Sequence, residues 1–115
     1  MLPKLFRIKA PEFFHSKKYS RKKTTMHLTV ISKESHRNTP RFVILIPKSV
    51  DKRASFRNKI RRFLEEEIRT EYLQAQNHKD ICIRVHKFSK DTSFTQMKSE
   101  LKNLMENTFT SIQKA

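Results

Sequence analysis

Apolar positions in this 115-residue chain follow two different periods. From Arg53 to Tyr72 they fall at Phe56, Ile60, Phe63, Leu64, Ile68 and Tyr72. That spacing predicts one long helix with a single face turned inward. The stretch SKDTSFTQMKSELKNLMENTF repeats it with Phe94, Met97, Leu101, Leu104, Met105 and Phe109, and Ser93 or Thr92 is the expected cap. RFVILIPK, from Arg41 to Lys48, is instead one continuous apolar run closed by Pro47, the pattern of a central strand covered on both faces. DICIRVHK, from Asp80 to Lys87, predicts a second buried strand. MHLTVIS, from Met26 to Ser32, alternates, with Leu28 and Val30 on one face and His27, Thr29 and Ile31 on the other. A short helix is expected from Pro11 to Lys17, with Pro in its first turn and Glu12 at the positive end of the dipole. The basic run SKKYSRKK reads as exposed loop or short edge strand, KESHRNTP as a turn, and Asn77-His78 as the end of the long-helix region.

The predicted order is helix, strand, strand, helix, strand, helix. It describes a small α+β sandwich with helices packed on a sheet. No repeat or linker divides the chain, so residues 1–115 are read as one domain. The sequence contains no glycine. Phosphate loops and dinucleotide fingerprints, which need glycine for close backbone approach, are therefore disfavoured.

The formal net charge is +15, which points to a polyanionic partner. Residues 1–62 hold 18 Lys or Arg against three acids, whereas residues 63–115 balance eight against eight. The boundary falls inside the long helix. RASFRNKIRR carries five cations and no acid, and FLEEEIR then carries three acids and one Arg. Cations at a helix start oppose the dipole, so an outside partner has to favour them. Phosphates would, through helix N–H groups and forked guanidinium donors. Arg53, Arg57 and Arg61 form one ridge, with Asn58 and Arg62 beside it, and Asn58 offers the acceptor that a cation lacks. The plainer alternative is a solvated face with Arg61–Glu65 and Arg62–Glu66 pairs.

Cys82, the only cysteine, lies in the apolar run ICIRV and is expected to be a buried reduced thiol in a cytoplasmic protein. No apolar run approaches the length of a membrane span. The acids of the basic half, Glu12, Glu34 and Asp51, are far apart, and the five His show no ligand or acid–base spacing. No catalytic or metal-binding constellation of protein residues is expected.

The segment Arg57-Asn58-Lys59-Ile60-Arg61-Arg62 resembles the R-N-R-x-K-R signature of the bacterial ribonuclease P protein component. The lysine-ended strand before it (Lys48), the Asp-headed strand after it, the closing amphipathic helix and the early Glu12-Phe13 pair match in the same order. The resemblance implies a central mixed sheet with a left-handed βαβ crossover, of the type of ribosomal protein S5 domain 2. It implies a subunit that binds a catalytic RNA and the 5′ leader of precursor tRNA. That enzyme is an endoribonuclease whose Mg²⁺-dependent catalysis resides in the RNA and yields the mature tRNA 5′ end. Carried over, Lys48, Lys52, Arg53, Arg57, Asn58, Lys59, Arg61 and Arg62 would bind RNA, and Phe13, Lys17, Thr29 and Ile31 would line the leader cleft. Lys59 stands where Arg is usual, and Lys17 and Ile31 stand where aromatics are common. A general or ribosomal RNA-binding protein, and a DNA-binding protein using helix 53–62, are the competing readings. Neither a membrane nor DNA is the expected partner.

Overall fold

The structure, a computed structural model, describes residues 6–15, 20–34, 40–71, 79–86 and 94–113. Its elements are α1 (Ala10–His15), β1 (Ser20–Thr24), β2 (Leu28–Glu34), β3 (Arg41–Leu45), α2 (Ala54–Glu71), β4 (Lys79–Val85) and α3 (Phe94–Gln113). The four strands form one mixed sheet in the order β1-β2-β4-β3. β1 and β4 run antiparallel to β2, and β3 runs parallel to β4. β3 and β4 are neighbours joined by α2, which makes the βαβ crossover that the resemblance leads one to expect.

One face of the sheet packs on α2 and α3. Leu28, Val30, Phe42, Ile81, Ile83 and Val85 meet Ile60, Leu64 and Ile68 of α2 and Met97, Leu101, Leu104 and Met105 of α3 in the main core. Burying each such side chain stabilises the fold by roughly 1.5–3 kcal/mol. The opposite face carries a smaller cluster of Ile8, Phe13 and Cys82, with Ile31, Val43 and Leu45 packed against it. Strand alternation sends Ile81 and Ile83 to one face and Cys82 to the other, so both faces of the inner strand are apolar.

Several elements differ from expectation. RFVIL is covered on both faces but forms the edge strand β3, and the central position belongs to β4. The N-terminal segment partly shields that edge, since Arg7 bridges Phe42 and Ile8 N–H donates to Phe42 O at 3.1 Å. The basic run takes the second of its two expected forms, a short edge strand, β1, because SRKKT pairs along its full length with β2. β2 starts two residues later than expected, leaving Met26 71% exposed in the β1–β2 turn. α1 ends at His15. The turn expected at 33–40 starts later, because Lys33 and Glu34 extend β2; residues 35–39, the region 72–78, Lys87 and the caps at 92–93 lie outside the described residues.

Glu100 of α3 clamps the β1–β2 turn. Its carboxylate accepts from Thr25 Oγ1 at 2.5 Å and from His27 N–H at 3.0 Å, and pairs with His27 Nδ1 at 2.6 Å. Burial pushes the Glu100 carboxyl upward, but the hydrogen bonds from Thr25 and His27 outweigh it and hold the group below its ordinary value. No described residue has positive φ, consistent with a chain that lacks glycine.

Candidate nucleic-acid interface

α2 is anchored by Ile60, Leu64 and Ile68, so its remaining sides carry the charge. The loop that launches it is built by two of its own arginines. Val50 N–H donates to Pro47 O at 3.0 Å. The Asp51 carboxylate accepts from Arg53 N at 2.8 Å, Nε at 3.1 Å and Nη2 at 3.0 Å. These bonds from Arg53 hold the Asp51 carboxyl below its usual range. The Arg53 guanidinium also lies over the Phe56 ring, 4.9 Å from its centroid. Arg57 turns back and donates through Nη1 to the carbonyls of Asp51 at 2.8 Å and Lys52 at 3.1 Å. Two of the expected RNA-facing arginines therefore also hold the loop.

The others are differently placed. Lys48, Asn58, Arg61 and Arg62 are exposed, and their side chains make no hydrogen bond or ion pair with a described residue. Lys52 is exposed, and Lys59 is exposed with its ammonium 5.7 Å from the Phe94 ring of α3. Arg57 and Arg61 thus follow the flank near β3, Lys59 follows the flank near α3, and Asn58 and Arg62 point outward between them. The pairs Arg61–Glu65 and Arg62–Glu66 do not form. Both oxygens of Glu66 are taken by Arg69, at 2.5 and 3.1 Å, and Glu67 lies 3.7 Å from Lys98. The acidic half of α2 finds its cations further along and leaves the basic half uncompensated.

A second cationic surface lies on the sheet face opposite α2. α1 closes one end of it. There Arg41 makes a forked pair with Asp80, at 2.8 and 2.9 Å, and reaches Glu12 at 3.2 Å. Lys33 donates to Phe13 O at 2.7 Å and sits 4.6 Å above the Phe13 ring. Beyond α1 the same face is open. The register puts Lys22 opposite Ile31 and Arg84 opposite Thr29, and Lys22, Arg84 and His86 are exposed. Thr29 is buried, its hydroxyl bonded to Thr24 Oγ1 at 3.2 Å and to His86 Nε2. Partial burial, and then the neighbouring charges of Arg84 and Lys22, lower the His86 value, so the imidazole is neutral at pH 7.

Of the residues expected in a leader cleft, Ile31 is half-buried and Thr29 lies in the floor. Phe13 is 1% exposed and fills the second core, while its neighbour Phe14 is 52% exposed and meets it edge-on at 5.1 Å. Lys17 lies outside the described residues. Sequence reasoning missed Lys22, and Phe14 was not separated from Phe13. No apolar alternation in SRKKT marks Lys22; its place follows from the pairing of that strand with β2. Among the described residues no group of three or more His, Cys, Asp or Glu stands close enough to hold a metal ion. Among them, too, no helix is long and apolar enough to cross a membrane.

The architecture defines a small, strongly basic α+β protein with a βαβ crossover and two cationic faces. Solved structures share this fold. The Staphylococcus aureus RNase P protein superposes with a TM-score of 0.78 over 90% of this chain and 94% of its own, at 22% identity. The Thermotoga maritima RNase P protein gives a TM-score of 0.73 over 88% of this chain and 96% of its own, at 18% identity. No curated protein matches by sequence. A family model for Ribonuclease P matches residues 2–108. The chain belongs to the ribonuclease P protein family, and with it to a tRNA-processing ribonucleoprotein with an RNA partner.

Proposed function

We propose that this chain is the protein subunit of ribonuclease P that grips the catalytic RNA through α2 and holds the 5′ leader of precursor tRNA on the open half of its sheet. The supporting observation is the set Lys48, Asn58, Arg61 and Arg62, exposed and without internal partners, on a rigidly packed helix. Arg53 and Arg57 support this set by fixing the loop, and Lys52 and Lys59 extend it. Forked guanidinium donors suit phosphate oxygens, and Asn58 suits a sugar hydroxyl or base edge. On the sheet, Lys22 and Arg84 would follow the leader backbone across Thr29 and Ile31, and Phe14 would offer a ring for stacking.

Cleavage is expected to depend on Mg²⁺. Among the described carboxylates, Asp80 and Glu12 are held by Arg41, Asp51 by Arg53 and Glu66 by Arg69, which leaves these four engaged with arginines instead of open to a hard cation. The metal would belong to the RNA, and so would catalysis. The protein contributes positioning and charge neutralisation, acting in the cytoplasm.

The test is cleavage of a precursor tRNA at low Mg²⁺ by a bacterial ribonuclease P RNA, with and without this protein. Mature 5′ ends that form only when both are present support the proposal. RNA binding without any gain in cleavage would move the chain to general RNA binding.

A further inference from the structure

A groove lies between the N-terminal segment, the outer edge of β3 and α2. It has a volume of about 220 Å³ and is lined by Arg7, Ile8, Val43, Ile44, Arg61 and Glu65, together with the Phe42 backbone. A second hollow formed by Arg7, Ile8, Lys9 and Glu12 continues it. Three features converge here. First, Arg7 and Arg61 come from different elements, the N-terminal segment and α2, are both exposed, and their side chains make no hydrogen bond or ion pair with a described residue. Second, the floor is apolar: Ile8 is buried, and Val43 and Ile44 are half-buried. Third, the β3 edge is open at this point. Phe42 O faces outward, since it accepts from Ile8 N–H. In a strand the next outward-facing peptide groups belong to the residue two further on, which is Ile44. The N-terminal segment turns into α1 before it could pair there, so among the described residues the outward N–H and C=O of Ile44 have no backbone partner.

We propose that this groove takes one unstacked nucleotide of RNA, with its phosphate held between Arg7 and Arg61 and its base on the Ile8–Val43–Ile44 floor. The outward N–H and C=O of Ile44 stand side by side as donor and acceptor. They complement the paired donor and acceptor on the edge of a base. Two guanidinium groups among the lining favour a phosphate-bearing occupant over an extended peptide added to the strand edge. The inference rests on the ribonuclease P reading, because the groove adjoins the α2 surface assigned to the catalytic RNA.

The test is nucleotide-resolution 2′-hydroxyl acylation of a bacterial ribonuclease P RNA bound to wild-type protein, Arg7→Ala, Arg61→Ala and the double variant, with Kd measured for each. With wild type, one unpaired nucleotide should change reactivity, and it should revert in Arg7→Ala while the remaining footprint persists. Each single variant should weaken binding by about tenfold, within the range for a good bidentate contact. The double variant should lose clearly less than the product of the two, because both arginines hold one phosphate. A wild-type footprint with no such nucleotide, or full additivity with no local reversion, would overturn the pocket and leave the subunit reading intact. Failure of the wild-type protein to bind the RNA at all would remove both. Protection by an extended peptide competitor, with no nucleotide signal, would assign the groove to strand addition and also overturn the proposal.

Discussion

The two ends of one sheet face treat charge in opposite ways. Under α1, Arg41 is tied to Asp80 and Glu12, and Lys33 is tied to Phe13 O over an aromatic ring. At the open end, Lys22 and Arg84 stand exposed beside a neutral His86. A buried unpaired charge costs several kcal/mol, so a covered cation must be paired. An exposed cluster of like charges is mildly unfavourable by itself and becomes favourable with an anion. The same contrast separates Arg53 and Arg57, which build a loop, from Arg61 and Arg62, whose side chains make no hydrogen bond or ion pair with a described residue. Under the proposed function, charge alone would not mark the interface; charge without a partner among the described residues would.

The neighbouring pair Phe13 and Phe14 gives the largest expected difference. Phe13→Ala should cost about 3–5 kcal/mol in denaturant unfolding, through cavity formation in the second core. Phe14→Ala should change stability by no more than about 0.5 kcal/mol. It should weaken binding of leader-bearing substrate by about 1–3 kcal/mol if a base stacks on it. Equal stability losses would show that the two rings do not divide the work this way.

Next in size is the paired cation. Arg41→Ala should destabilise by about 2 kcal/mol, between the values for exposed and fully buried pairs, because the guanidinium and Asp80 are each 13% exposed. RNA affinity of the folded protein should not change. Arg62→Ala should do the reverse. Its thermal midpoint should stay within error, and the salt dependence of RNA binding should become shallower by about 0.7–0.9 in log–log slope for one lost phosphate contact.

Acid titration gives smaller and separable effects. The Glu100 value is lowered, so its contribution is full above the ordinary carboxyl range and is lost as pH falls through the folded value. The His86 value is lowered too, but this group is a base. Stability should fall as pH drops below the ordinary imidazole value, where the unfolded chain takes the proton first, and should level off below the folded value. Glu100→Gln should remove the lower transition and His86→Gln the upper one. Phosphates near Lys22 and Arg84 would favour protonated His86, so leader affinity should rise as pH falls from 7 to 5.5.

The long helices were readable because their apolar spacing and their packing coincide: Ile60, Leu64 and Ile68 are all fully buried. The basic surface of α2 was readable for a related reason, since a helix fixes which residues share a face. Strand placement was not. RFVIL is apolar because both of its faces are covered, and face coverage carries no information about edge or centre. SRKKT has no apolar side to announce a strand, and its pairing is set by β2. Nor can spacing tell which of two adjacent phenylalanines α1 turns inward. The engagement of Arg57 with the carbonyls of Asp51 and Lys52 depends on a loop geometry that appears only in three dimensions. The burial of Cys82 was readable: it is fully buried, and that burial pushes its thiol up to about 11.

The decisive measurement is multiple-turnover cleavage of precursor tRNAs with long and absent 5′ leaders, by a bacterial ribonuclease P RNA reconstituted with wild-type, Arg62→Ala or Arg84→Ala protein. Arg62→Ala should raise the protein concentration needed for activation about equally for both substrates. Arg84→Ala should raise KM only for the substrate with a leader. If both variants behave like wild type, or if both act without regard to the leader, the assignment of α2 to the catalytic RNA and of the open sheet to the leader is wrong.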